Sequence, residues 1–383
     1  MTNEETFAHE LKTLQAQGNL RTLPLVAHDG QDIIASGRRM LNLSSNDYLG
    51  LAGEKTLQEQ FWQGLSGEDT LLSASSSRLL TGNFSAYTRL EQLLAALFGR
   101  EAALVFGSGY HMNTGILPAV TDSSTLILAD KLVHASLIDG IRLSGARSIR
   151  FRHQDYAQLE NLLQKYHADF PRIIIVTESI FSMDGDTADL LRLTGLKKQY
   201  PGTMLYVDEA HSIGVRGRQG LGLAEELDCI GDIDFLCGTF GKALASVGAY
   251  VVCNRIIRDY LVNKMRTLIF TTALPPLNVA WTQFVMERLA DMTERRQRLA
   301  SSSTCLRNAL KAHGWTCPSE SHIVPMIVGD SHEATQKAEQ LQKLGYYVLP
   351  VRPPTVPPGT SRLRFSLNAG ITPDELKQLT ELL

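Results

Sequence analysis

Two short runs carry the residues most able to do chemistry. Lys242 stands among small neighbours in Thr239-Phe240-Gly241-Lys242-Ala243-Leu244, and Asp208 and His211 lie in Tyr206-Val207-Asp208-Glu209-Ala210-His211. A lysine amine condenses with an aldehyde to an imine. A carboxylate paired with a protonated pyridine nitrogen turns the ring into an electron sink. A strand ending in Asp with His shortly after, then a loop lysine, is what holding pyridoxal 5'-phosphate (PLP) requires. Burial beside the cofactor is expected to lower the Lys242 pKa, as an acid–base lysine needs. The plainer readings are a surface lysine and a turn or helix-capping aspartate. His211 either hydrogen-bonds the cofactor's phenolic oxygen or caps the next helix.

Further candidates follow other apolar runs. His134, in Asp130-Lys131-Leu132-Val133-His134-Ala135-Ser136, can stack on a pyridine ring or serve structure alone. In Thr177-Glu178-Ser179-Ile180-Phe181-Ser182, Ser182 suits a hydrogen bond to the cofactor oxygen; Glu178 either orients a neighbour or caps backbone amides. A phosphate needs amides, hydroxyls and ideally a helix start. Ser108-Gly109-Tyr110 before a helix fits, with Thr239 and the pair Thr271-Thr272 as further hydroxyls. Ser73 to Ser77 lacks the glycine spacing and following lysine of a nucleotide-binding P-loop.

These residues need a scaffold that delivers strand ends together. Short, near-continuous apolar runs at 103–106, 125–129, 172–177, 204–207, 235–239 and 248–252, several separated by helical stretches, predict an α/β fold with a largely parallel sheet covered on both faces. The last two lie too close for a helical crossover and predict an antiparallel exception. Helices are expected over 4–18, 86–98, 279–310, 332–344 and 373–383, and the tail reads as a smaller α+β domain.

The 383 residues, 44% hydrophobic, suffice for more than one domain, and a net charge of -3 gives no electrostatic reason to expect a nucleic-acid partner. No apolar run is long enough to span a bilayer, and the first residues lack a signal-peptide layout, so a cytoplasmic protein is expected. Five cysteines without a CxxC pair read as buried or inert thiols. No metal-ligating set is assigned.

Many dispersed segments resemble the α-oxoamine synthases, fold-type I PLP enzymes: Asn42 to Gly50, Ser76 to Gly82, Asp130 to Ser136, Phe181 to Asp186, Asp208 to His211, Thr239 to Lys242, Phe270 to Pro276, Arg352 to Pro357 and Ser361 to Arg364. The resemblance implies a mostly parallel seven-stranded sheet and three parts: an N-terminal helix and arm (1–45), a large PLP-binding domain (46–285) and a small C-terminal α+β domain (286–383). It makes Lys242 the cofactor's lysine and acid–base residue. Asp208 is placed on the pyridine nitrogen, His211 and Ser182 on the phenolic oxygen, and His134 on the ring face. The threonine pair is placed on the phosphate of a neighbouring subunit, which implies a homodimer with shared active sites, Thr271 being preferred over Thr272. Arg364 with Asn46 is implied for the amino-acid carboxylate, and Arg21, Arg352 and Ser76 for the acyl-substrate side.

The implied activity is that of a PLP-dependent C-acyltransferase. It condenses L-alanine with a pimeloyl thioester, on coenzyme A or acyl carrier protein, with loss of carbon dioxide. Relatives carry a glycine-rich stretch where this chain has Leu72-Ser73-Ala74-Ser75-Ser76-Ser77-Arg78, and this loop faces the donor. Sister chemistries therefore stay open: glycine with acetyl-CoA, or serine with a long acyl chain. A plain aminotransferase and a non-catalytic scaffold are the other classes.

Overall fold

The computed structural model describes residues 2–383. The chain forms two compact units: one holds the chain up to Glu54 with Ser182–Asp186 and Gln297–Leu383, the other Lys55–Phe181 and Thr187–Arg296.

The larger unit is built on seven strands: β1 (Ala102–Phe106), β2 (Thr125–Asp130), β3 (Arg147–Phe151), β4 (Arg172–Glu178), β5 (Thr203–Asp208), β6 (Phe235–Thr239) and β7 (Ala249–Cys253). Their order is β1-β7-β6-β5-β4-β2-β3. Strands β3, β2, β4, β5 and β6 pair in parallel, and β7 pairs antiparallel with both β6 and β1. The short Phe240–Gly248 connection leaves β7 no other direction. The core is their apolar content: Leu126 to Ala129, Ile173 to Val176 and Leu205 to Val207 are buried.

Because β2, β4, β5 and β6 run parallel, their carboxyl ends share one sheet edge, where ligands bind in open α/β folds. Asp208 and Glu178 end neighbouring strands and stand directly opposite each other in the β4–β5 register. His134 follows β2, and Lys242 follows β6.

Two expectations are corrected. No apolar run announced β3, whose Arg-Ser-Ile-Arg-Phe buries only Phe151, as suits a charged edge strand. The expected continuous helix over 279–310 is instead Pro276–Arg288, a 3-10 turn Leu289–Met292, and Thr293–Ala312. The guanidinium of Arg296 explains the break, since it donates to the carbonyls of Leu289 at 2.7 Å and Ala290 at 3.1 Å. Four cysteines are buried, but Cys305 is exposed.

The smaller unit carries two sheets. Ala27–Asp29, Asp32–Ala35, Arg38–Asn42 and Tyr346–Tyr347 form one; Ile323–Gly329, Ser361–Ser366 and Pro350–Val351 form the other. The helix Asn3–Ala16 starts with a Thr2–Glu5 capping box and buries no residue. Among the described residues, no helix is long and apolar enough to cross a membrane.

Candidate active site

Asp208 is buried and accepts from two neutral donors: the Ala210 amide at 2.9 Å and the Asn113 side-chain amide at 2.8 Å. Beside it the Glu178 carboxyl is held well above the usual carboxylate range, by burial first and then by the charge of Asp208. Glu178 accepts the backbone amide of His134 at 2.5 Å, so it both orients a neighbour and caps an amide. The imidazole of His134 lies within reach of both charges, the aspartate raising and the lysine lowering its pKa. The structure thus brings together four of the predicted groups.

The imidazole of His134 is open to solvent on one side, yet the protein packed around the other pushes its pKa below the ordinary value. Its Nδ1 meets the Ser136 hydroxyl at 2.8 Å and accepts the Ser136 amide at 3.2 Å. An Nδ1 that accepts leaves the proton of the neutral ring on Nε2. His211 is buried. Glu209 caps the next helix, accepting the amides of Leu223 at 2.9 Å and Ala224 at 2.8 Å.

Lys242 is half-buried in a loop tied at several points. The Ala245 amide donates to the Lys242 carbonyl at 2.9 Å, the Ser246 amide to Phe240 at 2.9 Å, and the Trp281 indole to Ala245 at 2.9 Å. Ala245 adopts φ 45, so its small side chain serves a left-handed turn as well as an open approach.

Ser108 caps the helix Gly109–Val120 by accepting the His111 amide at 3.1 Å. The Gly109 and Tyr110 amides remain as helix-start donors, with the dipole behind them. Tyr110 is exposed and donates to Asp139 at 2.5 Å. The Thr239 hydroxyl already donates to Gly248 at 2.9 Å, so donating to a phosphate would require exchanging that bond. Ser76 and the threonine loop are joined, since Ala273 donates to the Ser76 carbonyl at 2.9 Å. Among the described residues, Thr271 and Thr272 themselves make only a mutual contact at 3.5 Å, from the Thr271 hydroxyl to the Thr272 carbonyl. Gly82 closes the Ser76 loop because a Cβ there would lie 2.5 Å from the Ser76 carbonyl oxygen.

The remaining predicted residues belong to the smaller unit. Arg364 spreads its fork over neutral oxygens: the Ser182 carbonyl at 2.6 Å, Asn46 at 3.3 Å, the Tyr48 hydroxyl at 3.4 Å and the Ser366 hydroxyl. Two residues away, Arg362 is neutralised by Asp184. Arg364 has no acidic partner among the described residues, so its charge is available to a carboxylate ligand. Arg21 donates to Thr355 at 2.8 Å, and Arg352 to the carbonyls of Gly18 and of Leu20, the latter at 3.3 Å. Burial and then the neighbouring charge of Arg21 lower the Arg352 pKa. Neither arginine has an acidic partner among the described residues.

Sequence reasoning missed Asn113. It is buried, and it joins Asp208, Ser136 and Tyr206, accepting from the tyrosine hydroxyl at 2.6 Å. Its signal was a polar amide on the buried side of its helix, between Met112 and Ile116.

This donor set suits PLP: a helix start with two amides for the phosphate, a buried carboxylate for the ring nitrogen, and a lysine in the loop after the neighbouring strand. Comparison with known proteins agrees. The family model for aminotransferase class I and II matches residues 38–383. A protein of Glaesserella parasuis serovar 5 (strain SH0165), provisionally named an 8-amino-7-oxononanoate synthase, is 57% identical over 98% of this chain and 99% of its own length. Serine palmitoyltransferase from S. paucimobilis with bound PLP–myriocin aldimine superposes with a TM-score of 0.90 at 30% identity, covering 99% of this chain and 96% of that one. The crystal structure of 8-amino-7-oxononanoate synthase from Francisella tularensis superposes with a TM-score of 0.76 at 27% identity, covering 90% and 96%.

Proposed function

The chain belongs to the aminotransferase class I and II family and, within it, to the fold-type I PLP-dependent 8-amino-7-oxononanoate synthases, and from that premise we propose which substrates it takes and what each residue does. It is a PLP-dependent acyltransferase that condenses an amino acid with an acyl thioester to give 8-amino-7-oxononanoate in biotin biosynthesis. The amino acid is L-alanine and the donor a pimeloyl thioester, on coenzyme A or acyl carrier protein. Carbon dioxide and the thiol carrier leave.

Bound PLP supplies an electron sink for negative charge at the carbon beside the substrate nitrogen. The protein does the rest. The Gly109 and Tyr110 amides and Ser108 would hold the phosphate, joined by Thr239 once its hydroxyl exchanges the bond to Gly248. Asp208 would keep the ring nitrogen protonated, and His211 and Ser182 would hold the phenolic oxygen. Lys242 would hold the cofactor, then take and return the proton at the substrate α-carbon. Neutral His134 would face the ring and offer its Nε2 proton to the thioester carbonyl oxygen. Arg364, with Asn46, fixes the amino-acid carboxylate.

The observation that carries this reading is the meeting at one sheet edge of Asp208 and Glu178, opposite each other in the β4–β5 register, with His134 held on Glu178 by its amide and Lys242 in the loop after β6. The donor is read from Arg21 and Arg352, a cationic pair without an acidic partner among the described residues. A pimeloyl chain ends in a carboxylate; acetyl and palmitoyl chains do not. A homodimer with shared sites is read from the joined loops around Ser76 and Thr271, where Leu72 (77%), Leu80 (79%) and Phe270 (71%) are exposed.

The test is mass spectrometry of the products from L-alanine and pimeloyl-CoA. The mass of 8-amino-7-oxononanoate with carbon dioxide release is expected. Product only from glycine with acetyl-CoA, or serine with palmitoyl-CoA, overturns the substrate assignment.

A further inference from the structure

We propose that Asn113 is a positioning residue that locks Asp208 and His134 into one arrangement through its two amide hydrogens. One donates to Asp208 Oδ2 at 2.8 Å, and the other to Ser136 Oγ at 2.9 Å. The amide cannot sit the other way round: its oxygen would then face the carboxylate, and it would lose the Tyr206 hydroxyl, which donates to Oδ1 at 2.6 Å. Because Ser136 Oγ accepts from Asn113, its own proton is free for His134 Nδ1 at 2.8 Å. The serine amide adds a second donor to the same nitrogen. Asn113 therefore fixes the direction of the serine proton, which joins the Ser136 amide in holding the neutral tautomer that carries hydrogen on Nε2.

The same amide partly neutralises Asp208 without removing its charge. Asn113, Ser136, Asp208 and Tyr206 are all buried. The Asn113 backbone is itself fixed by close helix packing. A Cβ at Gly140 would lie 2.3 Å from the Asn113 carbonyl oxygen, so the facing helix holds Asn113 at a set depth.

The consequence for His134 has a definite sign. A hydrogen bond donated to Nδ1 favours the neutral ring and lowers its pKa. The field of Asp208 raises it, and the Asn113 donor weakens that field. The other charges facing the imidazole are Lys242, which lowers its pKa, and Asp139, which raises it; the Glu178 carboxyl holds its backbone amide. Losing Asn113 removes a lowering influence and strengthens a raising one, so both changes move the His134 pKa upward.

The proposal rests on the reading of Asp208 and His134 as the groups that flank the cofactor ring, and the test separates the two. In the full chain with histidine nitrogens labelled, with and without PLP, nitrogen NMR reads the tautomer and pKa of His134 directly. Asn113→Ala and Ser136→Ala are each expected to raise that pKa by about one pH unit. The Nε2–H preference should fall, and the double variant should go no further than Asn113→Ala alone. The acidic limb of the kcat/KM profile should move up by the same amount.

A folded Asn113→Ala protein whose His134 titration and tautomer match the unsubstituted chain overturns the proposal. If that variant does not fold, Asn113→Ser decides in its place. It shortens the side chain and loses the double donor, so an unmoved His134 overturns the proposal equally. A titration that moves while the kcat/KM limb stays put sustains the Asn113 arrangement and removes His134 from the reaction instead.

Discussion

At the scale of single residues, charge compensation separates binding groups from structural ones. Arg362 and Arg364 lie on one face of one strand; the first faces Asp184, and the second only neutral oxygens. Arg364→Lys is expected to raise the KM for the amino acid by roughly 10- to 100-fold, because an ammonium cannot reproduce a planar fork. The KM for the acyl donor should stay within about twofold. Steady-state kinetics with each substrate varied in turn checks this, and an equal rise in both values removes Arg364 from carboxylate binding. Arg21→Met is expected to weaken a pimeloyl donor by roughly tenfold and to leave any slow turnover of acetyl-CoA unchanged, as only the former presents a distal carboxylate. Competition between the two donors measures that ratio directly. Residues of this kind were legible in the sequence because each follows a strand or sits in a distinctive segment. Asn113 was not: a helical asparagine surrounded by Met112, Thr114 and Ile116 gains its meaning only when Asp208 arrives from a distant strand.

At the scale of elements, parallel strands explain why distant residues converge, and packing at their backs explains how firmly. Gly238 in β6, just before the lysine loop, faces the ring of Tyr250 in β7: a Cβ would stand 2.5 Å from the phenol Cζ and oxygen. Gly238→Ala is expected to cost about 1–3 kcal/mol by overpacking, read as a lowered Tm. The Tyr250 hydroxyl is buried without a hydrogen-bond partner among the described residues, so Tyr250→Phe should stabilise by about 1 kcal/mol. A lower Tm in that variant would show that the hydroxyl is satisfied in solution. The apolar strands were readable because burial on both faces leaves a continuous apolar run. Strand β3 escaped because an edge strand carries charge outward. The break after Arg288 escaped because its cause, the Arg296 side chain returning to the carbonyls of Leu289 and Ala290, leaves no turn residue behind. The strap formed by Ser76 and Ala273 could not be read from either segment alone. Arg78 stands behind it, bridging to Glu91 at 2.6 Å and lying 4.1 Å over the Tyr87 ring. The Tyr87 hydroxyl in turn accepts the Leu274 amide at 2.7 Å.

At the scale of the whole molecule, one buried group couples stability to pH. Burial raises Glu209 to about 7 against hydrogen bonds from Ser212, Ala224 and Leu223, which lower it, and the charge of Asp208 adds to the rise. Its ordinary value is 4.5. Between these limits the folded chain keeps a proton that the unfolded chain has shed, so stability falls as pH rises through the window and is unaffected by this group below it. Glu209→Gln should be less stable at low pH, having exchanged a hydrogen-bonded acid, but its Tm should fall less steeply from pH 5 to pH 7. An identical slope would assign the dependence to other groups. The largest assembly question is whether two chains share each site. The strap presents Thr271 and Thr272 beside exposed Phe270, Leu72 and Leu80, a surface that a second copy would cover. If the threonines serve the partner's cofactor, a Lys242→Ala protomer mixed with a Thr271→Val/Thr272→Val protomer forms dimers in which one site has an intact lysine and intact threonines. Equal mixing should then restore about a quarter of full activity from two nearly inactive parents, since half of the dimers are mixed and each holds one good site. If each chain completes its own site, every site in the mixture carries a lesion, and activity remains at the parental level however well the dimers exchange.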